Sequence, residues 1–189
     1  MIMPENSIKD NLIQRLDRQL DWIKSCDTKA SIVLAMVGIF LTLFLSEQSL
    51  VMIKKILTES IFSINFSNVL YLTFFICSWS LFIYGALSLV KVLVPQNKKV
   101  LDGEGLHQES LYYFETISAN SFNEFKQRVQ SQNEDEEVED ILSQIYVNAQ
   151  ICTLKYKYFS RGIKFTFIGM ASTVAVYLIG VLLSYSGGF

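Results

Sequence analysis

The sequence is poor in the residues that catalytic and metal sites usually require. Its 189 residues include a single histidine, His107, and three cysteines. The cysteines are odd in number and far apart, so they form neither a disulfide framework nor a paired zinc motif. Glycine-rich phosphate loops, a Gly-x-Ser-x-Gly elbow and a His-Glu-x-x-His string are also missing. We therefore expect no resident cofactor, no metal and no enzyme activity.

Charge is missing from three long apolar windows of a chain in which 51% of the residues are hydrophobic. A helix needs roughly 17 to 25 residues to cross about 30 Å of hydrocarbon. We predict an all-α membrane protein with transmembrane helices at residues 30–46, 68–90 and 165–185. These spans contain no Asp, Glu, Lys, Arg or His, which argues against a proton relay or an ion-coupled transporter.

Lysine and arginine are unevenly distributed around the predicted spans. Cationic segments are retained in the cytoplasm, whereas the loop between the first two spans holds only Lys54 and Lys55, and the outer tail at 186–189 holds none. We predict that residues 1–29 and the region 91–164 face the cytosol. The basic residues near the spans in these two segments are Arg15, Arg18, Lys24, Lys29, Lys91, Lys98, Lys99, Lys155, Lys157, Arg161 and Lys164.

The outer loop at 47–67 contains an amphipathic stretch. Residues 50–65 mix apolar side chains with Lys54, Lys55 and Glu59, which is typical of a helix lying in the outer membrane–water interface. A fourth span is the alternative, and it would place the C-terminus in the cytosol. That alternative requires the two lysines and the glutamate to be buried in lipid, which is costly.

Two long helices are predicted to run from the cytosolic part into the membrane. Apolar residues recur at helical spacing over residues 8–23, so the first 29 residues form an amphipathic helix that continues into the first span. A second helix begins at the acidic run 134–140, whose charges suit a helix N-terminus, and continues into the third span. Small residues that would let another helix approach the third span closely are Gly169, Thr173 and Gly180.

Shorter helices are predicted between these two. Residues 95–105 contain a proline and two glycines and form a connector. One helix covers residues 108–117, and another begins at Ser121, whose spacing from Glu124 is that of a capping box. The cytosolic part is thus predicted to be a small helical bundle joined directly to the first and third spans.

Asp27 and Lys29 lie where the first helix is predicted to enter the membrane. Lys29 suits this position, because a lysine at the interface extends its amine into water. Asp27 has less reason to lie there, since a carboxylate near lipid is costly. Two interpretations stay open for Asp27: a solvated acid, or a partner for a cation in the cytosolic part of the third helix that couples the two helices.

Residues 155–161 combine positive charge with aromatic rings. Such a cluster can hold a phosphate and stack a base, or it can form the belt of tyrosine and basic residues found at membrane interfaces, and the spacing favours the belt. Tyr112 and Tyr113 pose the same choice between packing and ligand stacking. The residues of the cluster are Lys155, Tyr156, Lys157, Tyr158, Phe159 and Arg161.

Four strings lie in order along nearly the whole chain, at defined positions relative to the predicted spans. They are Asp27-Thr28-Lys29-Ala30-Ser31, Leu111-Tyr112-Tyr113-Phe114-Glu115-Thr116-Ile117, Gln144-Ile145-Tyr146 and Lys155-Tyr156-Lys157. Together they resemble the transmembrane effectors of the Pycsar anti-phage system of bacteria. Their order and placement make the resemblance more specific than any one string.

The resemblance implies a function that composition and spacing do not show. Effectors of this kind are partnered with a pyrimidine cyclase that makes cyclic CMP or cyclic UMP upon phage infection, and the nucleotide activates the effector. The active effector impairs the inner membrane and causes abortive infection. We therefore expect an antiviral effector of the bacterial inner membrane, with a cytoplasmic N-terminus, assembled as a homo-oligomer in the lipid bilayer and without a nucleic-acid polymer as partner.

A cyclic mononucleotide presents one negative charge and one base, so its site needs cations and an aromatic surface. Residues that the cytosolic part offers for this role are Lys155, Arg161 and Arg128 for charge, with Tyr112, Tyr113 and Tyr156 for stacking. Two other functions stay open. One is a membrane effector of a related cyclic-oligonucleotide defence system, and the other is a passive small channel or scaffold subunit with no nucleotide ligand.

Overall fold

The computed structural model describes residues 5–63, 65–95 and 110–188, with side chains from residue 8 onward. Within these residues the fold is all-α, as the sequence predicts, with six helices and no strand. The helices are α1 (Glu5–Phe44), α2 (Glu47–Phe62), α3 (Phe66–Leu93), α4 (Phe114–Ala119), α5 (Phe122–Ser131) and α6 (Glu134–Ser186).

The chain divides into two compact units. Unit 1 comprises Met1–Cys26 and Pro95–Tyr156, and unit 2 comprises Asp27–Val94 and Lys157–Phe189. Helices α4 and α5 belong to unit 1, and α2 and α3 belong to unit 2. Helices α1 and α6 contribute residues to both units.

Helices α1 and α6 are longer than the hydrocarbon core of a membrane is thick. They have 40 and 53 residues, and a rise of about 1.5 Å per residue makes them roughly 60 and 80 Å long. Neither contains a proline, so nothing removes a hydrogen bond from its backbone ladder. The predicted continuation of the two polar helices into the first and third apolar segments is confirmed.

Three of the described helices, α1, α3 and α6, are long and apolar enough to cross a membrane. This agrees with the three predicted spans. Helix α2 is not one of them, because it has only 16 residues. It begins after Ser46, whose extended φ of −60° and ψ of 154° are typical of an N-cap. The helix predicted at 50–65 therefore exists, but it starts and ends three residues earlier.

Two charged residues of α2, Lys55 and Glu59, have partners at the C-terminal end of α6. The Ser184 hydroxyl donates a hydrogen bond of 2.6 Å to the carboxylate of Glu59. Lys55 Nζ lies 3.8 Å from the same carboxylate and 5.6 Å from the ring centre of Tyr185. These contacts give Lys55 and Glu59 polar or aromatic partners and pack α2 against α6, while the location of α2 in the outer interface stays a prediction.

The helix predicted over residues 108–117 is wrong at residues 110–113, while its residues 108 and 109 lie outside the described part of the chain. Helix α4 begins at Phe114, and the described residues before it form turns. The backbone N–H of Leu111 donates a hydrogen bond of 2.8 Å to the side chain of Asp140, instead of entering a helical ladder. A tertiary hydrogen bond thus competes with local helix formation and delays the start of α4.

Helix α5 begins with the capping box that the sequence predicts. The Glu124 N–H donates to the Ser121 hydroxyl at 3.4 Å, and the Ser121 N–H donates to the Glu124 carboxylate at 2.8 Å. These bonds lower the pKa of Glu124 below its ordinary value.

Residues of the predicted cytosolic region that lie outside the described part of the chain are those at 96–109, including Lys98, Lys99 and His107.

Helices α3 and α6 meet through glycines that touch the facing backbone. A Cβ added to Gly85 would lie 2.6 Å from Thr166 Oγ1, and one added to Gly169 would lie 2.5 Å from Phe82 Cα. Both distances are too short for a real Cβ, so only glycine permits this approach. The contact positions rise along α3 as they fall along α6, which shows that the two helices are antiparallel.

The same contact continues over residues 71–89 of α3 and 162–180 of α6. A Cβ on Gly162 would lie 2.7 Å from Leu89 Cγ, and Gly180 faces Tyr71, whose hydroxyl donates a hydrogen bond of 3.2 Å to the Val176 carbonyl. Close approach at Gly169 and Gly180 confirms the predicted role of small residues in α6. The buried residues at heptad-like spacing in this contact, called the α3–α6 seam below, are Tyr71, Ser78, Phe82, Gly85 and Leu89 of α3, with Gly162, Thr166, Gly169, Thr173 and Gly180 of α6.

An aromatic cluster attaches α1 to the other two apolar helices. The Phe44 ring lies 5.7 Å from the Trp79 ring and 5.4 Å from the Tyr177 ring, in edge-to-face geometry. Phe40 lies 5.4 Å from Phe82, which belongs to the α3–α6 seam. Such ring pairs contribute about 0.5–1.5 kcal/mol each beyond the area that they bury. In unit 2 the three apolar helices therefore contact one another, and α2 packs against the C-terminal end of α6.

We expect the substitution Gly85→Ala to destabilise unit 2, because its Cβ would overlap the Thr166 backbone and force α3 and α6 apart. Overpacking of this kind costs about 1–3 kcal/mol. Gly38→Ala is the matched control, since no atom lies within 4 Å of the Cβ that it adds. Thermal unfolding in detergent should show a lower melting temperature for Gly85→Ala only. Equal melting temperatures for both variants would contradict the close contact.

Candidate ligand-binding site

The segment before α4 is anchored to α6 by a buried carboxylate. Asp140 is fully buried, and its Oδ2 accepts the hydrogen bond from the Leu111 N–H. Ser110 is 2% exposed, and its hydroxyl accepts a hydrogen bond of 3.1 Å from the Tyr112 N–H. Asp140 Oδ1 accepts no hydrogen bond within the part of the chain that the structure describes. One polar group of this anchor therefore stays available to a donor.

A second contact ties the N-terminal part of α1 to the same region. The Glu137 carboxylate pairs with the Lys9 amine and accepts a hydrogen bond of 2.9 Å from the Tyr112 hydroxyl. Lys9 lowers the pKa of Glu137 below its ordinary value, and Glu137 raises the pKa of Lys9 in return. Burial, together with the bond to Glu137, raises the pKa of Tyr112 to about 12. Tyr112 is thus a neutral donor at physiological pH.

The face of α6 that is buried in unit 1 is unusually polar. Asp140, Ser143, Gln144 and Lys155 are each less than 9% exposed. A buried ammonium group is costly unless it is paired, and Lys155 is not without a partner. Lys155 is therefore not part of a belt at the membrane interface. This burial is what a charge-bearing residue of an internal site would show.

A groove lies on the opposite, exposed side of α6 in unit 1. Its volume is about 370 Å³, which lies within the range of roughly 300–1,000 Å³ that small-molecule sites occupy. Tyr146, Gln150 and Thr153 are spaced by four and three residues, so they share one face of the helix. The described lining of the groove consists of Tyr146, Ala149, Gln150, Thr153 and Leu154.

The groove combines an apolar surface with a few polar groups. Tyr146 is 56% exposed, which leaves its ring accessible. The Thr153 hydroxyl donates a hydrogen bond of 2.9 Å to the Ala149 carbonyl and keeps its acceptor positions. Gln150 brings one carbonyl oxygen and two amide N–H donors. An aromatic ring beside an amide and a hydroxyl is an arrangement that can bind a planar heterocycle.

The structure distributes the predicted ligand residues over different environments. Arg128 donates a hydrogen bond of 3.4 Å to Asn120, and Tyr113 packs its ring 4.9 Å from that of Phe114. Tyr156 is 38% exposed. None of the predicted ligand residues is among the described residues of the groove. Those that belong to unit 1 are Lys155, Arg128, Tyr112, Tyr113 and Tyr156.

Arg161, Asp27 and Lys29 belong to unit 2. Arg161 and Lys29 are exposed, and Asp27 is half-buried. Lys91 Nζ lies 5.7 Å from the ring centre of Tyr158. This contact is compatible with the belt interpretation, which stays a prediction. The predicted pairing of Asp27 with a cation of α6 stays a prediction.

Sequence reasoning missed the groove residues Gln150 and Thr153. The sequence feature that could identify them is their helical spacing from Tyr146, which the resemblance singles out only within the string at 144–146. That spacing identifies a face of α6, but it does not say that this face is the exposed one. The described residues contain no group of three or more His, Cys, Asp and Glu that could hold a metal ion.

A family model described as PycTM, Pycsar effector protein domain, matches residues 11–183. The chain belongs to the Pycsar effector family. It is also 31% identical over 188 residues to the Pycsar effector protein GmPycTM of Gulbenkiania mobilis, a match that covers 94% of this chain and 93% of the relative. No solved structure matches the chain.

Family membership confirms the resemblance that the sequence strings indicated. It makes the chain an effector of antiphage defence, and it implies a cyclic nucleotide signal from a partner cyclase. With three helices able to span a membrane, the family also implies a multi-pass membrane protein. The absence of enzyme activity and the identity of the ligand residues stay predictions.

We expect Asp140→Ala to loosen the segment around Leu111, because it leaves the partly buried N–H of Leu111 without its acceptor. A lost partner of this kind costs about 1–3 kcal/mol, so local hydrogen exchange should rise roughly 10- to 100-fold. Hydrogen-exchange mass spectrometry of residues 110–117 measures this. Asp140→Asn keeps an acceptor and should exchange nearly as slowly as the unaltered protein. Asp135→Ala, at an exposed position of α6, is the control, and equal exchange in all variants would contradict the anchor.

We expect Glu137→Gln to lower stability at neutral pH, by the small amount typical of an exposed ion pair. The folded pKa of Glu137 is lowered, so its stabilisation is present above the unfolded pKa and is lost as pH falls through the folded pKa. The raised pKa of Lys9 means that the pair also loses its effect as pH rises through that value. Melting temperatures at pH 4 and pH 7 measure the difference. The exposed Glu139→Gln is the control, and a deficit that grows on acidification would show that the pair is not the cause.

Proposed function

We propose that this chain is an antiviral effector that cyclic CMP or cyclic UMP activates, and that the active form impairs the bacterial inner membrane and so causes abortive infection. Family membership supports the defence role. The part of the proposal that concerns nucleotide binding rests on the groove on α6. This groove is relevant because α6 is a single helix that includes the third apolar segment. A ligand in this groove touches the helix that would cross the membrane.

The groove has chemistry suited to a pyrimidine base. The Tyr146 ring offers a stacking surface, and stacking on an aromatic side chain contributes about 1–3 kcal/mol per base. The Gln150 amide has both donors and an acceptor, so it can pair with the amino group of cytosine or with the carbonyl and N–H groups of uracil. We therefore propose Tyr146 and Gln150 as base contacts and the Thr153 hydroxyl as a contact to the ribose or the phosphate.

The phosphate of a cyclic mononucleotide requires a positive charge. We propose Lys155 for this role through its electrostatic field and not by direct contact, because it is a buried cation among the described residues of unit 1 but lies on the face of α6 opposite the groove. Charges interact more strongly where water is excluded, so a buried ammonium acts over a longer distance than an exposed one. Arg128, Tyr112, Tyr113 and Tyr156 are further candidates within unit 1.

The size of the groove favours a mononucleotide over a cyclic oligonucleotide. Its volume is about 370 Å³, and one aromatic side chain, Tyr146, belongs to its described lining. A cyclic dinucleotide has two bases and needs two stacking surfaces. The alternative of an effector for a cyclic oligonucleotide therefore has less support from this groove.

Activation would follow from a shift between two packings of unit 1. A ligand that binds one packing more tightly raises its population, and the shift is limited by the difference in affinity. Because α1 and α6 are unbroken helices, a change in their packing in unit 1 also moves helices of the membrane-spanning part. We propose that several copies assemble, since three helices of a single copy enclose no wide pore.

The proposal is tested with the full chain reconstituted in lipid vesicles that contain a fluorescent dye. We expect cyclic CMP or cyclic UMP to bind and to release the dye, and cyclic dinucleotides to do neither. Dye release without any nucleotide would instead indicate a passive channel. Release by a cyclic dinucleotide alone would assign the effector to a cyclic-oligonucleotide system.

Variants of the groove make the same experiment specific. We expect Tyr146→Ala and Gln150→Ala to weaken nucleotide binding by roughly 10-fold or more, as the loss of one stacked or paired group predicts, and Lys155→Ala to weaken it as well. Gln127→Ala, at an exposed position of α5, is the matched control and should bind normally. Calorimetric titration of each variant measures the affinity. If both groove variants bind the nucleotide with unchanged affinity, the nucleotide binds at another site.

A further inference from the structure

Two hydroxyl groups in the α3–α6 seam lack the hydrogen bond that hydroxyls in apolar helices normally make. Thr166 is fully buried and Thr173 is 1% exposed, yet neither Oγ1 has a hydrogen-bond partner in the described residues. Hydroxyls elsewhere in unit 2 donate to the carbonyl four residues earlier. Examples are Thr42 at 3.0 Å, Thr73 at 2.8 Å, Ser78 at 2.8 Å and Ser88 at 2.8 Å.

These hydroxyls point into the contact between the two helices. Thr166 Oγ1 lies 2.6 Å from where a Cβ of Gly85 would be, so it lies against the glycine of the facing helix. Thr173 is seven residues further along α6 and therefore on the same face, beside Gly169. The small residues of α3 thus cover polar groups that have no acceptor.

A valine would fill the same space without leaving a polar atom unpaired. Burying an unpaired hydroxyl costs free energy, whereas water would satisfy it at once. The unpaired hydroxyls therefore raise the free energy of the packed α3–α6 seam. Separation of α3 from α6 in the presence of water removes this cost. Residues on the outer sides of these helices are apolar and exposed, for example Ile76 at 64% and Leu182 at 68%, and gain nothing from water.

We propose that the α3–α6 seam separates when the effector is activated, and that its hydroxyls then line a hydrated path across the membrane for ions and small solutes, including the dye. Thr166 and Thr173 contribute from α6, and Ser78 and Tyr71 contribute from α3, with Ser78 at the level of Thr173 in the antiparallel pairing. Each copy supplies one polar wall, and further copies supply the others. This inference rests on the proposed function, and it assigns the membrane damage to particular residues.

The test measures whether water reaches the seam. In a chain whose Cys26, Cys77 and Cys152 are replaced by alanine, Thr166→Cys and Thr173→Cys are each labelled with a water-soluble cationic thiol reagent in lipid vesicles. We expect slow labelling without nucleotide and labelling at least 10-fold faster with cyclic CMP or cyclic UMP. Thr73→Cys, on the exposed side of α3, is the control and should stay slow in both states.

Substitutions that change only the hydroxyl give a second measurement. Thr166→Val combined with Thr173→Val should reduce nucleotide-triggered dye release about 10-fold, while nucleotide affinity and membrane insertion stay unchanged. The corresponding double serine variant keeps both hydroxyls and should release dye normally. Thr73→Val should also behave like the unaltered protein.

The outcomes separate this inference from the proposed function. If nucleotide triggers dye release but labelling at 166 and 173 does not accelerate, the seam is not the path and the inference is overturned. Full dye release by the double valine variant overturns it equally. If nucleotide triggers no release from the unaltered protein, the proposed function fails, and the inference fails with it.

Discussion

The contact between Gly85 and the Thr166 backbone is the constraint on which the membrane part of the molecule depends. Lipid tails are as apolar as leucine, so helices in a membrane gain little from burying apolar surface against each other. Association must come from close packing, and close packing requires small residues. The glycines at 162, 169 and 180 extend this contact along α6, and the aromatic cluster of Phe40 and Phe44 adds α1 to it.

The long helices could be predicted from the sequence because their causes are local. Apolar residues at helical spacing, an acidic helix start and the absence of proline are all properties of neighbouring residues. The capping box at Ser121 is local in the same sense, and the structure contains it. Since α1 and α6 each satisfy such rules without interruption, each of them joins a polar and an apolar segment in a single helix.

The site could not be predicted to the same extent, because its causes are tertiary. A partner 29 residues away, Asp140, takes the Leu111 N–H and prevents the helix that local propensity predicts. The string at 155–161 has one composition but two environments, since Lys155 is buried whereas Tyr158 lies beneath Lys91. Polar residues lie on the buried face of α6, although polar residues are usually assigned to the face that solvent covers. This usual assignment therefore does not identify the side of α6 at Tyr146 as the exposed side with the groove.

Unpaired polar groups occur in both units of the protein. Asp140 Oδ1 in unit 1 and the hydroxyls of Thr166 and Thr173 in unit 2 are buried, and none of them has a hydrogen-bond partner in the described residues. In a protein with a single stable state, such groups only reduce stability, and an apolar residue of similar size would serve better. In a protein with two states they have a use, because they lower the free energy of the state that gives them a partner. The positions of these groups, at the anchor of the segment before α4 and in the α3–α6 seam, are therefore the positions at which a switch between two packings would gain most.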